Sequence, residues 1–207
     1  MLSLSVNLSA GNLLRNSSFE LGDAHFSSSR CKSITDGEII DPGPSAEIDS
    51  TTATHGKNSL KLDLKKAEER VCWRFATHEF KLQPGKKYTF SFDAKSITPD
   101  GQISFACVSS QYFWQWHSWK NFRFTKDWKR YSMTIQIPPK KEGQVKYNEK
   151  FWMVLKTARD CVVWFDALNL EEGEFTVWRP AAPCESAVNV PRFLVEKNTL
   201  TAAITNL

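Results

Sequence analysis

The sequence predicts an all-β protein, a two-sheet antiparallel β-sandwich with almost no helix. From Leu60 onward, apolar and polar residues alternate in short runs punctuated by Pro, Gly and Asp. Nowhere do apolar residues hold a 3.6-residue period for three turns. A chain of 207 residues suits one sandwich and is short for two independent cores once its ends are set aside.

The strands are expected in the following order. Residues 59–65 put Leu60, Leu62 and Leu64 on one face and Lys61, Asp63 and Lys65 on the other. Residues 71–82 run into Gln83-Pro84-Gly85-Lys86, where Pro presets φ and Gly supplies a positive φ, so a type II turn and a hairpin are expected. Residues 88–95 direct Tyr88, Phe90, Phe92 and Ala94 inward. After a turn at Thr98-Pro99-Asp100-Gly101, residues 103–109 direct Ile103, Phe105 and Cys107 inward, and residues 128–138 carry Tyr131, Met133, Ile135 and Ile137 on one face. The last pair, residues 150–156 and 162–170, is joined by a charged turn at Arg159-Asp160. Residues 22–54 are rich in Ser, Asp, Gly, Pro and Thr and read as one or two short strands with long loops, a usual place for ligand contacts.

Composition narrows the function classes. The formal charge of +4, from 27 basic and 23 acidic residues, is spread along the chain with no polybasic tract, which argues against a nucleic-acid partner. No apolar run approaches the roughly 18–20 residues needed to cross a bilayer as a helix, so no membrane partner is expected. Cys31, Cys72, Cys107, Cys161 and Cys184 form no CxxC pair, which leaves no structural zinc or thioredoxin motif, and the odd count leaves at least one free thiol. Cys72, Cys107 and Cys161 sit in apolar runs and read as small buried hydrophobes; a disulfide suits a secreted chain, but the sequence does not choose the pair. Eight Trp and 14 Phe exceed what one small core usually consumes, so some rings are expected on a surface, where they stack on a ligand.

Three regions follow. Residues 1–11 are an N-terminal tail, either the end of a signal peptide or an unstructured leader. Residues 12–183 form the sandwich, and residues 184–207, beyond Arg179-Pro180-Ala181-Ala182-Pro183, read as a linker or the first strand of a following domain.

Five segments in order resemble the carbohydrate-binding modules attached to xylanases, cellulases and related glycanases. They are Asn12-Leu13-Leu14-Arg15-Asn16-Ser17-Ser18-Phe19-Glu20-Leu21-Gly22, His55-Gly56-Lys57-Asn58-Ser59-Leu60-Lys61-Leu62, the stretch from Phe80 to Lys95 around Pro84-Gly85-Lys86, Asp127-Trp128-Lys129-Arg130-Tyr131, and Phe165-Asp166-Ala167-Leu168-Asn169-Leu170-Glu171-Glu172-Gly173. The resemblance implies a galactose-binding-domain-like jelly roll. It also implies a secreted, extracellular or cell-surface location, a monomer, and a module that attaches further domains of the same polypeptide, a polysaccharide-degrading enzyme, to an oligo- or polysaccharide. The alternative is a structural or protein-interaction domain with no sugar site.

The resemblance further implies a structural calcium ion held by Glu20 and Asp166, with carbonyls of the Gly56-Lys57-Asn58 turn, Lys57 among them, completing an oxygen shell. The competing reading has Glu20 capping backbone amides and Asp166 exposed on its strand. Asp166 interrupts the apolar run Val162-Val163-Trp164-Phe165, where an unpaired carboxylate is costly, and this favours the metal. Trp128 and Trp178 occupy packing positions in the family pattern, and Trp164 lies beside the calcium site; all three are assigned to the core.

Sugar rings present C–H patches and a rim of hydroxyls, so a site needs flat aromatics beside polar side chains. Trp73, Trp114, Trp116, Trp119, Trp152 and Tyr112 meet the first demand; Arg74, Gln111, Gln115, Asp93 and His117 meet the second. Tyr112, Trp114 and Trp116 share strand parity, and Trp152 falls opposite Phe151, Met153 and Leu155 if those face inward. An enzyme is not expected: HExxH, GxSxG and P-loop patterns are absent, and Glu68-Glu69 and Glu171-Glu172 read as solvated turns.

Overall fold

The computed structural model describes residues 11–22, 29–31, 46–63, 72–74, 80–98, 102–109, 115–148, 150–157, 161–179, 184–189 and 201–206. The strands are β1 (Ser29–Cys31), β2 (Ala46–Asp49), β3 (Ser59–Asp63), β4 (Cys72–Arg74), β5 (Phe80–Lys81), β6 (Lys87–Ser96), β7 (Gln102–Ser109), β8 (Gln115–Arg123), β9 (Lys129–Gln136), β10 (Lys150–Thr157), β11 (Val162–Glu172), β12 (Cys184–Asn189) and β13 (Thr201–Asn206). No helix occurs among the described residues. One sheet runs β1-β4-β10-β7-β8 with β5 also beside β10; the other runs β2-β3-β11-β6-β9. Every strand pairing among the described residues of these sheets is antiparallel, and the two sheets enclose one apolar core, as the alternation required.

The core is phenylalanine-rich. Phe92 lies at its centre, with ring centroids 4.9 Å from Phe105, 5.1 Å from Phe122 and 5.5 Å from Phe165 in tilted or edge-on contacts. Phe151, Met153 and Leu155 of β10 are completely buried, as are Ile103, Phe105 and Cys107 of β7 and Ile135 of β9. Each such Leu, Ile or Phe removes enough apolar surface from water to favour folding by about 1.5–3 kcal/mol.

Two expected pairings are not made. The Gln83-Pro84-Gly85-Lys86 turn forms, with Gly85 at φ 77° and the Lys86 N–H donating to Gln83 O, but it makes no hairpin. β5 pairs with β10 in one sheet and β6 with β9 and β11 in the other, so the turn carries the chain across the sandwich. β10 and β11 likewise belong to different sheets. Turn chemistry is local, whereas sheet membership is decided by which apolar faces close the core.

Residues 12–22 form turns and no strand, yet are bound to the second sheet. The Leu13 N–H donates to Leu170 O and the Leu168 N–H to Ser17 O, each at 2.8 Å. Asn12 Oδ1 accepts the Leu170 N–H while Asn12 Nδ2 donates to Leu168 O. These side-chain and backbone bonds satisfy β11 where its ladder to β6 is broken between Asp166 and Asn169, at Ala167 with φ 49°.

Cys107 is a buried free thiol and Cys161 is buried too, and β1 pairs Cys31 directly with Cys72 of β4. Within residues 184–207, β12 pairs with β13 as a two-stranded sheet.

The tryptophans assigned to the core lie elsewhere. Trp164 and Trp128 pack on the outer face of the second sheet, with Lys95 Nζ 5.3 Å and 5.2 Å from their ring centroids. Their indole N–H groups donate to Asp49 Oδ2 at 2.7 Å and Thr52 Oγ1 at 3.1 Å. Trp178 packs tilted against His55, with ring centroids 4.0 Å apart, and donates to Leu168 O. A lysine stem can cover an indole while its ammonium reaches water, so these rings are sheltered without entering the inter-sheet core. Glu171 also departs from expectation: it is 2% exposed and accepts from the Thr176 N–H and from Asn169 Nδ2, instead of sitting in a solvated turn.

Candidate functional site

The outer face of the first sheet collects the site residues through its register. On β7, Ile103, Phe105 and Cys107 point into the core, which leaves Ser104, Ala106 and Val108 on the other side. Three cross-strand rows pass over these residues. In the first, Trp152 of β10 and Trp116 of β8 are the register partners of Val108. In the second, Arg74 pairs with Val154, Val154 with Ala106, and Ala106 with Trp119. In the third, Cys72 pairs with Lys156, Lys156 with Ser104, and Ser104 with Asn121. Adjacent strands lie about 4.8 Å apart, so positions 152 and 116, two strands from each other, are separated by about 10 Å.

Trp119 is 46% exposed. Its Nε1–H donates to Asn121 Oδ1 at 3.0 Å, and Ser104 Oγ donates to the same oxygen. Asn121 and Ser104 were not singled out from the sequence. Asn121 follows Trp119 by two residues on an extended strand, and that spacing alone places it on the same face.

Other expected residues divide as follows. Trp73 pairs with Leu155, which is buried, and so falls in a core-side row, whereas Arg74 falls in the outer row. Tyr112, Trp114 and Gln111 lie outside the described residues, and so does the Tyr112–Trp114 part of the proposed three-ring alignment. Gln115 pairs with Ser109 at the end of β8. Asp93 belongs to the opposite sheet, where it accepts from Thr54 Oγ1 and meets Arg130 Nη1 at 3.4 Å. His117 turns inward: its ring centroid is 4.9 Å from that of Phe151 and its Nε2 lies 2.7 Å from Ser109 Oγ.

The two carboxylates expected to hold calcium grip one loop from both ends. Glu20 Oε1 accepts the N–H groups of Lys57 and Asn58, each at 2.8 Å. Gly56, at φ 67°, makes this approach feasible, since a Cβ there would lie 2.4 Å from Glu20 Cδ. Asp166 is fully buried; its Oδ2 accepts the N–H groups of Thr54 and His55 at 2.7 Å and 2.8 Å, and its Oδ1 accepts that of Ala167. Glu20 therefore does cap backbone amides, whereas Asp166 is not an exposed strand residue. Burial still pushes the Asp166 carboxyl up to about 6 against these donors, so the charged form is incompletely compensated. Among the described residues no three His, Cys, Asp or Glu side chains form a metal-binding group. Carboxylate oxygens beside a peptide loop are nevertheless of the hard-donor type that calcium takes, together with carbonyl and water oxygens.

A neighbouring cation serves the same region. Arg130 Nη1 donates to Ala167 O, and Nη2 donates to Ser91 Oγ at 2.9 Å. The guanidinium lies against the Phe175 ring, 5.8 Å from its centroid, and fixes the broken part of β11.

A family model described as a carbohydrate binding domain matches residues 11–150. No curated protein matches the chain. Among solved structures, an arabinose-bound α-L-arabinofuranosidase aligns with a TM-score of 0.57 at 12% identity, over 81% of this chain and 27% of that one. The N-terminal CBM22-1-CBM22-2 tandem domain of a Paenibacillus barcinonensis protein aligns with a TM-score of 0.55 at 12% identity, over 84% of this chain and 48% of that one. A family 16 carbohydrate binding module aligns at 0.48 and 16% identity, over 77% and 99%. At these identities the likeness to solved structures is one of fold.

Proposed function

The chain belongs to the carbohydrate binding domain family, a non-catalytic sugar-binding module, and from that premise we propose that the outer face of the β1-β4-β10-β7-β8 sheet holds a chain of linked sugars. The observation that carries this is the half-exposed Trp119 ring, tethered through its N–H to Asn121 and set in the rows that contain Trp116, Trp152 and Arg74. An indole whose polar edge is already engaged offers its face for stacking on a pyranose without having to be ordered on binding. A series of register positions about 10 Å across suits a polysaccharide better than a monosaccharide. Further domains of a secreted glycan-degrading enzyme would be brought to their substrate by this module, outside the cell. Calcium at Glu20, Asp166 and the Lys57 carbonyl would brace the fold without touching sugar.

Titration with a panel of soluble polysaccharides, followed by tryptophan fluorescence, tests the reading. At least one glycan should shift the emission, and Trp119→Ala should weaken its binding by about 1–3 kcal/mol while leaving the fold intact. Full affinity in the variant would remove Trp119 from the site. The rival reading, a structural or protein-interaction domain, predicts no response to any glycan.

A further inference from the structure

β8 contains one residue more than its partner. Cys107 of β7 pairs with Ser118, and Val108, the next residue, pairs with Trp116, so His117 is inserted between them. Positions three apart on a regular strand face opposite sides of the sheet. With the insertion, positions 116 and 119 pair with Val108 and Ala106, two residues apart on β7, and therefore share a face. The inserted residue is held by a buried polar cluster. His117 Nε2 is 2.7 Å from Ser109 Oγ, Asn148 Nδ2 donates to that same oxygen at 3.0 Å, and the imidazole packs against Phe151. Ser109, Asn148 and Phe151 are each at most 1% exposed.

We infer that His117 is a positioning residue for glycan binding: it pins the bulge that brings Trp116 and Trp119 to one face. The inference rests on the reading of that face as the sugar site. It carries a pH signature. Burial alone pushes His117 from 6.5 down to about 4. Among the described residues, the groups in contact with it or with its partner Ser109 are Ser109 on β7, Asn148 between β9 and β10, and Phe151 on β10, none of them ionisable, while the Cys107 thiol opposite Ser118 is driven far up by its own burial and stays neutral. A depressed folded value means that the neutral ring is favoured in the fold, whereas the unfolded chain binds a proton below about 6.5. Stability at the bulge is thus lost as pH falls from 6.5 towards 4. The imidazolium carries an N–H on both ring nitrogens, and Nδ1 has no partner for one among the described residues.

The test compares the full chain with His117→Gln, which retains a neutral amide for Ser109 and cannot titrate, and with His117→Ala. Affinity for a glycan bound by the parent is measured from neutral pH to about 4, alongside near-ultraviolet circular dichroism without glycan. At neutral pH His117→Ala should bind about tenfold more weakly and His117→Gln should recover most of the affinity. In acid the parent should lose affinity and indole dichroism together, and His117→Gln should show neither loss. An acid transition in His117→Gln like that of the parent overturns the inference, and so does full affinity in His117→Ala. If the parent binds no glycan, the sugar reading falls, but the dichroism comparison still decides whether His117 pins the bulge.

Discussion

Trp119 and Gly56 show how single positions divide the labour of this domain. Trp119 has its N–H engaged and its ring half exposed; Asn121 and Ser104 hold one edge of the indole. The need for exposed aromatics was legible in the tryptophan count, and Trp119 was named among the candidates. His117 was singled out by residue type alone; alternation from Trp116 already puts it on the opposite face, and the inserted residue acts instead on Trp119, which it brings to the face of Trp116. Gly56 lets a carboxylate approach the backbone where a side chain would collide. Gly56→Ala should therefore lower stability by about 2 kcal/mol or more, since it combines positive-φ strain with a steric clash against Glu20. Urea unfolding measures this, and an unchanged midpoint would show that the loop can move away from Glu20.

The elements were largely legible, since alternation depends only on which residues are apolar. Strands β6, β7, β9 and β11 fall close to where the pattern put them. Their partners were less legible: Pro84-Gly85 specified a turn but not that the turn crosses between sheets. The opening segment, residues 12–22, is another such element. It has no strand pattern, and its place is set by Asn12, Ser17 and Glu20 bonding to β11 and to the loop at residues 54–58. A calcium ion joining Glu20 to Asp166 would tie these three pieces together. Excess chelator should then lower the melting temperature while leaving glycan affinity almost unchanged, because a ligand of the native state alone stabilises by mass action. Scanning calorimetry with and without chelator reads this, and identical curves after prolonged chelation would show that the amide donors hold the two carboxylates without metal.

At the scale of the whole molecule the two outer faces differ in what the described residues place on them. The second sheet is covered: residues 12–22 bond to β11, Lys95 lies over Trp128 and Trp164, and Arg130 lies against Phe175. The first sheet presents three aligned rows and the exposed Trp119. Both faces carry tryptophan, so composition alone could not separate them; register and hydrogen bonding do. The most direct measurement is a map of backbone amide shifts on adding a glycan that the chain binds. Shifts concentrated on β4, β7, β8 and β10, with β3, β6, β9 and β11 nearly silent, are predicted. Shifts concentrated on β3, β6 and β11 would contradict the assignment of the sugar site to the first sheet.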